Sequence, residues 1–185
     1  MYALPQRKPN RLKNFDYSHD GAYFVTICVK DRHDILGEIV VGDGVLDVPC
    51  CMLSEIGKTV EKQIQIMSSL YADIHVDKFV IMPNHIHLII SIENVAVLSK
   101  TPGPRTPENG SSRTPTPTAA VPRFVSTLKR YTNKNAGYSI WQRSYHDHII
   151  RNEKEYQKIW EYIDTNPLNW EADMYCTKEQ MVKQI

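Results

Sequence analysis

The chain has 185 residues, 42% of them hydrophobic and 23% charged, with a formal net charge of +1. That length suffices for one domain with a full core, and the composition is ordinary for a soluble globular protein. The near-neutral balance excludes global basicity as a sign of nucleic acid, so any such sign must lie in how the charge is distributed. Four cysteines, Cys28, Cys50, Cys51 and Cys176, form no CxxC pair. Adjacent Cys50 and Cys51 make a poor disulfide framework, so a reduced setting fits best. The N-terminus lacks an apolar signal core, and no apolar stretch reaches membrane-spanning length. The sequence therefore predicts a soluble, cytoplasmic protein with no membrane partner.

Residues 1–15 form a basic arm carrying Arg7, Lys8, Arg11 and Lys13 with no acid before Asp16. Such an arm is either simply solvated or suited to phosphate contacts. Tyr23–Val29 is rich in β-formers and reads as a strand. Gly37 to Val48 has glycines at 37, 42 and 44 between short apolar pieces, which predicts a hairpin or an irregular excursion. Ser54 is placed to cap a helix beginning at Glu55, with Ile56, Val60, Ile64, Met67 and Leu70 recurring at helical spacing as a core stripe. Ile74–Ile81 reads as the next strand.

Phe79–Ser91 is a long apolar run with two histidines in its middle, and it reads as a strand kinked at Pro83. Side chains on a strand alternate between faces. His85 and His87 therefore point one way, and Ile86, Leu88 and Ile90 point the other way into a core. Two imidazoles on one face of a rigid strand suit a metal-ligand pair, or are a half-buried structural pair.

Residues 99–121 hold most of a Pro/Thr/Ser/Gly-rich stretch that predicts a flexible surface loop and not a second domain. Arg123 to Asn135 then reads as a helix with Phe124, Val125 and Leu128 inward. From Arg123 to Arg151, Arg123, Lys129, Arg130, Lys134, Arg143 and Arg151 face the lone acid Asp147, with Tyr131, Tyr138, Trp141 and Tyr145 interleaved. That mixture suits phosphate neutralisation with base stacking, although aromatics so placed are more often core. Ile140–Ile150 reads as a strand holding a second His-x-His, His146 and His148, which competes with the first. Asn152 and Glu155 make a capping box for a last helix running to about Asn166, where Pro167 stops it. Tyr156, Ile159, Trp160 and Ile163 cluster on its core face. Tyr162 and Asn166, four apart, share a stripe beside that face. The geometry of Asn166, which precedes a proline, is left open.

Pro83-Asn-His-Ile-His-Leu88, together with Tyr23–Ile27, Ile140–Arg143, His148-Ile-Ile-Arg-Asn152 and Glu161-Tyr-Ile-Asp-Thr-Asn-Pro167, resembles the single-tyrosine HUH transposases. The nearest branch is the REP-associated tyrosine transposases, relatives of the insertion-sequence 200/605 enzymes. The resemblance spans nearly the whole chain apart from the Pro/Thr-rich loop. It implies a single α+β domain over 1–185 of ferredoxin-like HUH fold, an antiparallel sheet packed with helices. It implies that His85, His87 and Asn166 hold a divalent metal, Mg2+ or Mn2+, and that Tyr162 is the nucleophile. With no acidic ligand evident, it implies weak metal binding until DNA adds an oxygen. The implied partner is single-stranded or hairpin DNA, cleaved and rejoined through a 5′-phosphotyrosine by a monomer or a homodimer. Arg7, Lys8, Arg11, Lys13, Lys129, Arg130, Arg143, His148 and Arg151 are the DNA-contact candidates. The alternatives are a catalytically silent, domesticated DNA-binding module, a hydrolase that uses water, and an HUH replication-initiator nickase. A covalent protein–DNA adduct separates the transposase from the silent module and the hydrolase.

Overall fold

A computed structural model describes residues 20–41, 48–93 and 120–176 of the chain. The basic arm and residues 99–119 of the Pro/Thr-rich stretch lie outside the described residues. The elements in order are strands β1 (Gly21–Cys28), β2 (Gly37–Val40) and β3 (Cys50–Leu53), helix α1 (Glu55–Leu70), strands β4 (Ile74–Met82) and β5 (His85–Ile92), helix α2 (Ala120–Ala136), strand β6 (His146–Ile150) and helix α3 (Glu153–Thr165). Short 3-10 turns follow β1 at Lys30–Arg32 and α3 at Pro167–Ala172. Four strands form one antiparallel sheet in the order β4-β5-β1-β6, while β2 and β3 pair antiparallel as a separate sheet; of the excursion expected over residues 37–48 only β2 falls inside those bounds, and its partner β3 lies beyond them. With β2 and β3 set aside, the order is β-α-β-β-α-β, the ferredoxin-like arrangement.

The pleat of the sheet sorts its residues onto two faces. Tyr23, Val25 and Ile27 of β1 and Ile86, Leu88 and Ile90 of β5 face Val60, Ile64 and Met67 of α1 and Phe124, Val125 and Leu128 of α2. Ile89 and Ile150 face the other way and meet Ile163 of α3, with Tyr156, Ile159 and Trp160 packed alongside. The core stripes of all three helices thus stand as predicted, except that Leu70, at the end of α1, is 74% exposed. Ser54 caps α1 by accepting from the Gly57 amide, and Asn152 caps α3 by accepting from the Glu155 amide.

Three expectations change. Phe79–Ser91 is not one kinked strand: β4 ends at Met82, Pro83 and Asn84 form a turn, and His85 pairs back with Met82. Pro83 supplies the fixed φ that suits the first turn position. The turn is anchored from outside, since its two carbonyls accept from the amides of Leu36 at 2.9 Å and Val29 at 2.8 Å. The segment Ile140–Ile150 is a strand only from His146, because the Gln142 and Ser144 carbonyls are taken by Lys129 Nζ at 2.8 and 2.9 Å. Helix α2 begins at Ala120, with Pro122 in its first turn, where a proline is tolerated. Helix α3 stops before Pro167 as expected; the proline opens the closing 3-10 turn, and Asn166, whose geometry the sequence left open, is helical (φ −58, ψ −43).

Candidate metal centre and its tyrosine

The α3-facing side of β5 carries His85 and His87, both buried. Their Nε2 atoms approach to 3.0 Å. Each ring is fixed from behind. His85 Nδ1 lies 3.0 Å from Asn84 Oδ1, and His87 Nδ1 lies 2.8 Å from Thr26 Oγ1. An amide oxygen only accepts, so His85 carries its proton on Nδ1 and turns the Nε2 lone pair outward. Asn84 is in turn held by donating to the carbonyls of Arg32 at 3.3 Å and Tyr175 at 2.9 Å. Thr26 stands opposite His87 across β1–β5, so strand register alone delivers it. Such partners behind a ligand imidazole set its tautomer and orientation.

The closing turn folds aromatic rings over the pair. Trp170 stacks on His85 with centroids 6.0 Å apart, and the Tyr175 ring lies 4.6 Å from it. Burial pushes His85 down to about 4, with Asp173 pulling the other way and Arg32 adding to the fall. Burial, and then His85, holds His87 well below its ordinary value. Both imidazoles are therefore neutral at pH 7, the state in which imidazole binds metal.

Tyr162, 40% exposed, places its hydroxyl 3.4 Å from His87 Nε2 and 3.4 Å from Asp173 Oδ2. Phe24 packs between strand and helix, stacked on His87 at 5.1 Å and edge-on to Tyr162 at 6.0 Å. Burial and then Asp173 push the Tyr162 phenol up to about 12. Asn166 is buried, donates to Asp173 Oδ2 at 3.1 Å, and leaves its Oδ1 with no hydrogen-bond partner. The structure thus brings Tyr162, His85, His87 and Asn166 together.

Sequence reasoning missed Asp173. One oxygen of its carboxylate and one nitrogen of each histidine lie within 4.8 Å of one another, a group that can hold a metal. No local pattern marks it, because the closing turn alone carries it back. The residues fit a divalent ion. Two nitrogens about 2.1 Å from one ion and at right angles to each other are about 3.0 Å apart, and the orphaned Asn166 oxygen offers a further donor.

The second pair, His146 and His148, is exposed on β6. His148 Nε2 lies 2.7 Å from Glu155 Oε1, and β6 pairs only with β1, so the two pairs never meet. Arg130, Arg143 and Arg151 are exposed. Lys129 is engaged with the two loop carbonyls, and burial lowers it to about 8. Of the interleaved aromatics, Tyr131 and Tyr138 are exposed, whereas Trp141 is buried and donates to Thr132 Oγ1 at 2.7 Å.

No family model matches the chain. An uncharacterized protein of Haemophilus influenzae is 35% identical over 177 residues, covering 92% of this chain and 93% of that protein. The chain belongs to one family with it. Among solved structures, a REP-associated tyrosine transposase bound to a REP hairpin is similar over 98% of this chain and 87% of that chain, at 16% identity and a TM-score of 0.55. The chain has the fold of that transposase. No helix among the described residues is long and apolar enough to cross a membrane.

Proposed function

We propose that the protein is a metal-assisted tyrosine transposase that cleaves and rejoins hairpin-flanked single-stranded DNA in the cytoplasm. The observation that carries this reading is a phenol hydroxyl 3.4 Å from one of two neutral imidazoles whose Nε2 atoms meet at 3.0 Å. The fold shared with a transposase bound to a REP hairpin supports it.

A divalent ion, Mg2+ or Mn2+, on His85, His87 and Asn166 would neutralise a non-bridging phosphate oxygen and polarise the phosphorus. Asn84 and Thr26 keep the two Nε2 lone pairs aimed into the site. Trp170 and Tyr175 exclude water from His85. The Tyr162 hydroxyl releases its proton past Asp173 to solvent, and its oxygen attacks the phosphorus. The bond from phosphorus to the 3′ oxygen breaks, and that oxygen takes a proton from water. Tyr162 is left joined to the 5′ phosphate of the downstream fragment. The new bond conserves the energy of the old one, so attack by a 3′ hydroxyl restores a strand. Arg130, Arg143, His148 and Arg151 contact phosphates, assisted by Arg7, Lys8, Arg11 and Lys13 of the arm. Deleting residues 1–13 would lower the log–log salt slope of binding by about 0.7 for every phosphate those side chains neutralise.

The test is incubation with single-stranded DNA flanking the gene, with Mn2+, followed by a denaturing gel. A covalent adduct on the downstream fragment is expected. Free ends without an adduct would make the protein a water-using hydrolase. Binding without cleavage would make it a silent DNA-binding module.

A further inference from the structure

We propose that Asp173 is a positioning residue: it turns the Asn166 amide so that the amide oxygen faces the histidine pair, and it is not itself a ligand. This rests on the metal-centre reading above. Asp173 is pinned by its surroundings. The carbonyl of Met174 accepts from the Arg32 guanidinium at 2.8 Å, and that of Tyr175 accepts from Asn84 Nδ2 at 2.9 Å. Within that strap the Asp173 carboxylate is already occupied. Oδ1 accepts from the Tyr175 amide at 2.7 Å, and Oδ2 accepts from Asn166 Nδ2 at 3.1 Å and from the Tyr162 hydroxyl at 3.4 Å.

A carboxylate has no hydrogen to give when ionised, so only the NH2 side of Asn166 can face it. The amide oxygen must turn away, and it is the atom left buried without a partner. An amide oxygen buried in that way is destabilising unless something takes its lone pair. The bonds to Asp173 take three of the four acceptor positions of its carboxylate, whereas His85 Nε2, His87 Nε2 and Asn166 Oδ1, one on each proposed ligand of the ion, keep lone pairs for it. Asp173 has its oxygens committed to the groups that hold these residues and Tyr162 in place.

Mn2+ binding to DNA-free protein, followed by titration calorimetry, tests this with a double-mutant cycle. Asp173→Ala should weaken binding about tenfold, as loss of an outer partner of a ligand does. Asn166→Ala should weaken it at least as much. The double variant should bind within about twofold of Asn166→Ala, because Asp173 acts through that amide. Multiplying losses in the double variant would make Asp173 a ligand in its own right and overturn the proposal. Unchanged binding by Asp173→Ala would overturn it too. Asp173→Asn serves if the alanine variant does not fold: its amide can pair with Asn166 in either sense, so an intermediate loss is expected, and none would overturn the proposal. His85→Ala is the separate control. If it still binds Mn2+ at the parent's affinity, the metal-centre reading fails whatever Asp173 does.

Discussion

Tyr156 and Tyr162 stand on the same helix and face different chemistry. Tyr156 donates to Asp77 Oδ2 at 3.0 Å, an oxygen that Ser91 also shares, and so fastens α3 to the edge of the sheet. Tyr162 reaches His87 and Asp173. Tyr162→Phe should bind Mn2+ and hairpin DNA as the parent does but form no covalent adduct on a denaturing gel. Tyr156→Phe should form the adduct normally and lose about 1 kcal/mol in thermal or urea unfolding, the usual value of one hydrogen bond. An adduct from Tyr162→Phe would move the nucleophile elsewhere. The histidines give the metal-free protein a pH dependence. Burial holds His85 down to about 4 from an ordinary value of 6.5. Between those values the unfolded chain takes up a proton that the folded chain refuses. Stability should therefore fall as pH is lowered from about 6.5 toward 4. Urea unfolding across that window should show the decline, and His85→Ala should lessen it without abolishing it, because burial still holds His87 down.

The turn of Pro83 and Asn84 shows what an element owes to its surroundings. Asn84 is fully buried and bonds His85 and two distant carbonyls. Asn84→Ala should lower stability by about 1–3 kcal/mol, the penalty for unsatisfied buried partners. It should also weaken Mn2+ binding by about tenfold or more. Unfolding curves and calorimetry would measure both, and unchanged metal affinity would show that His85 needs no such support. Local rules made much of this fold legible. Ser54 and Asn152 announced their helices, the 3.6-residue stripes fixed the core faces of all three helices, and alternation put His85 and His87 on one side. Less legible was whatever depends on partners far along the chain. Pro83 sits among β-formers on both sides, so kink and turn look alike until Leu36 and Val29 bond the turn's carbonyls. Ile140–Tyr145 has a strand composition, but the carbonyls of Gln142 and Ser144 go to Lys129. In β4 a register shift between Val76 and Lys78 changes which residues face α3, and nothing local marks it. Gly57 looks like a weak point in α1, yet a Cβ there would lie 2.0 Å from the Leu36 carbonyl oxygen. Thr26 and Asp173 enter the site only through register and a returning turn.

On the scale of the whole molecule, one face of the sheet is covered by α1 and α2 and the other by α3. The first face supplies bulk core, and the second carries the histidine pair with Tyr162 set beside it. Helix α3 is fixed at both ends. Tyr156 meets Asp77 near its start, and Lys78 pairs with Asp164 and lies 4.7 Å over the Trp160 ring toward its finish. The helix carrying Tyr162 is therefore fastened to β4, the neighbour of the strand that carries His85 and His87 in its own chain. If each molecule keeps its own α3 in this seat, two crippled proteins do not repair each other. A mixture of His85→Ala with Tyr162→Phe should stay as inactive as either alone, and the specific activity of the parent should not change on dilution. Activity restored by mixing would mean that copies exchange α3, whereas a dead mixture would confine each strand cut to a solitary molecule.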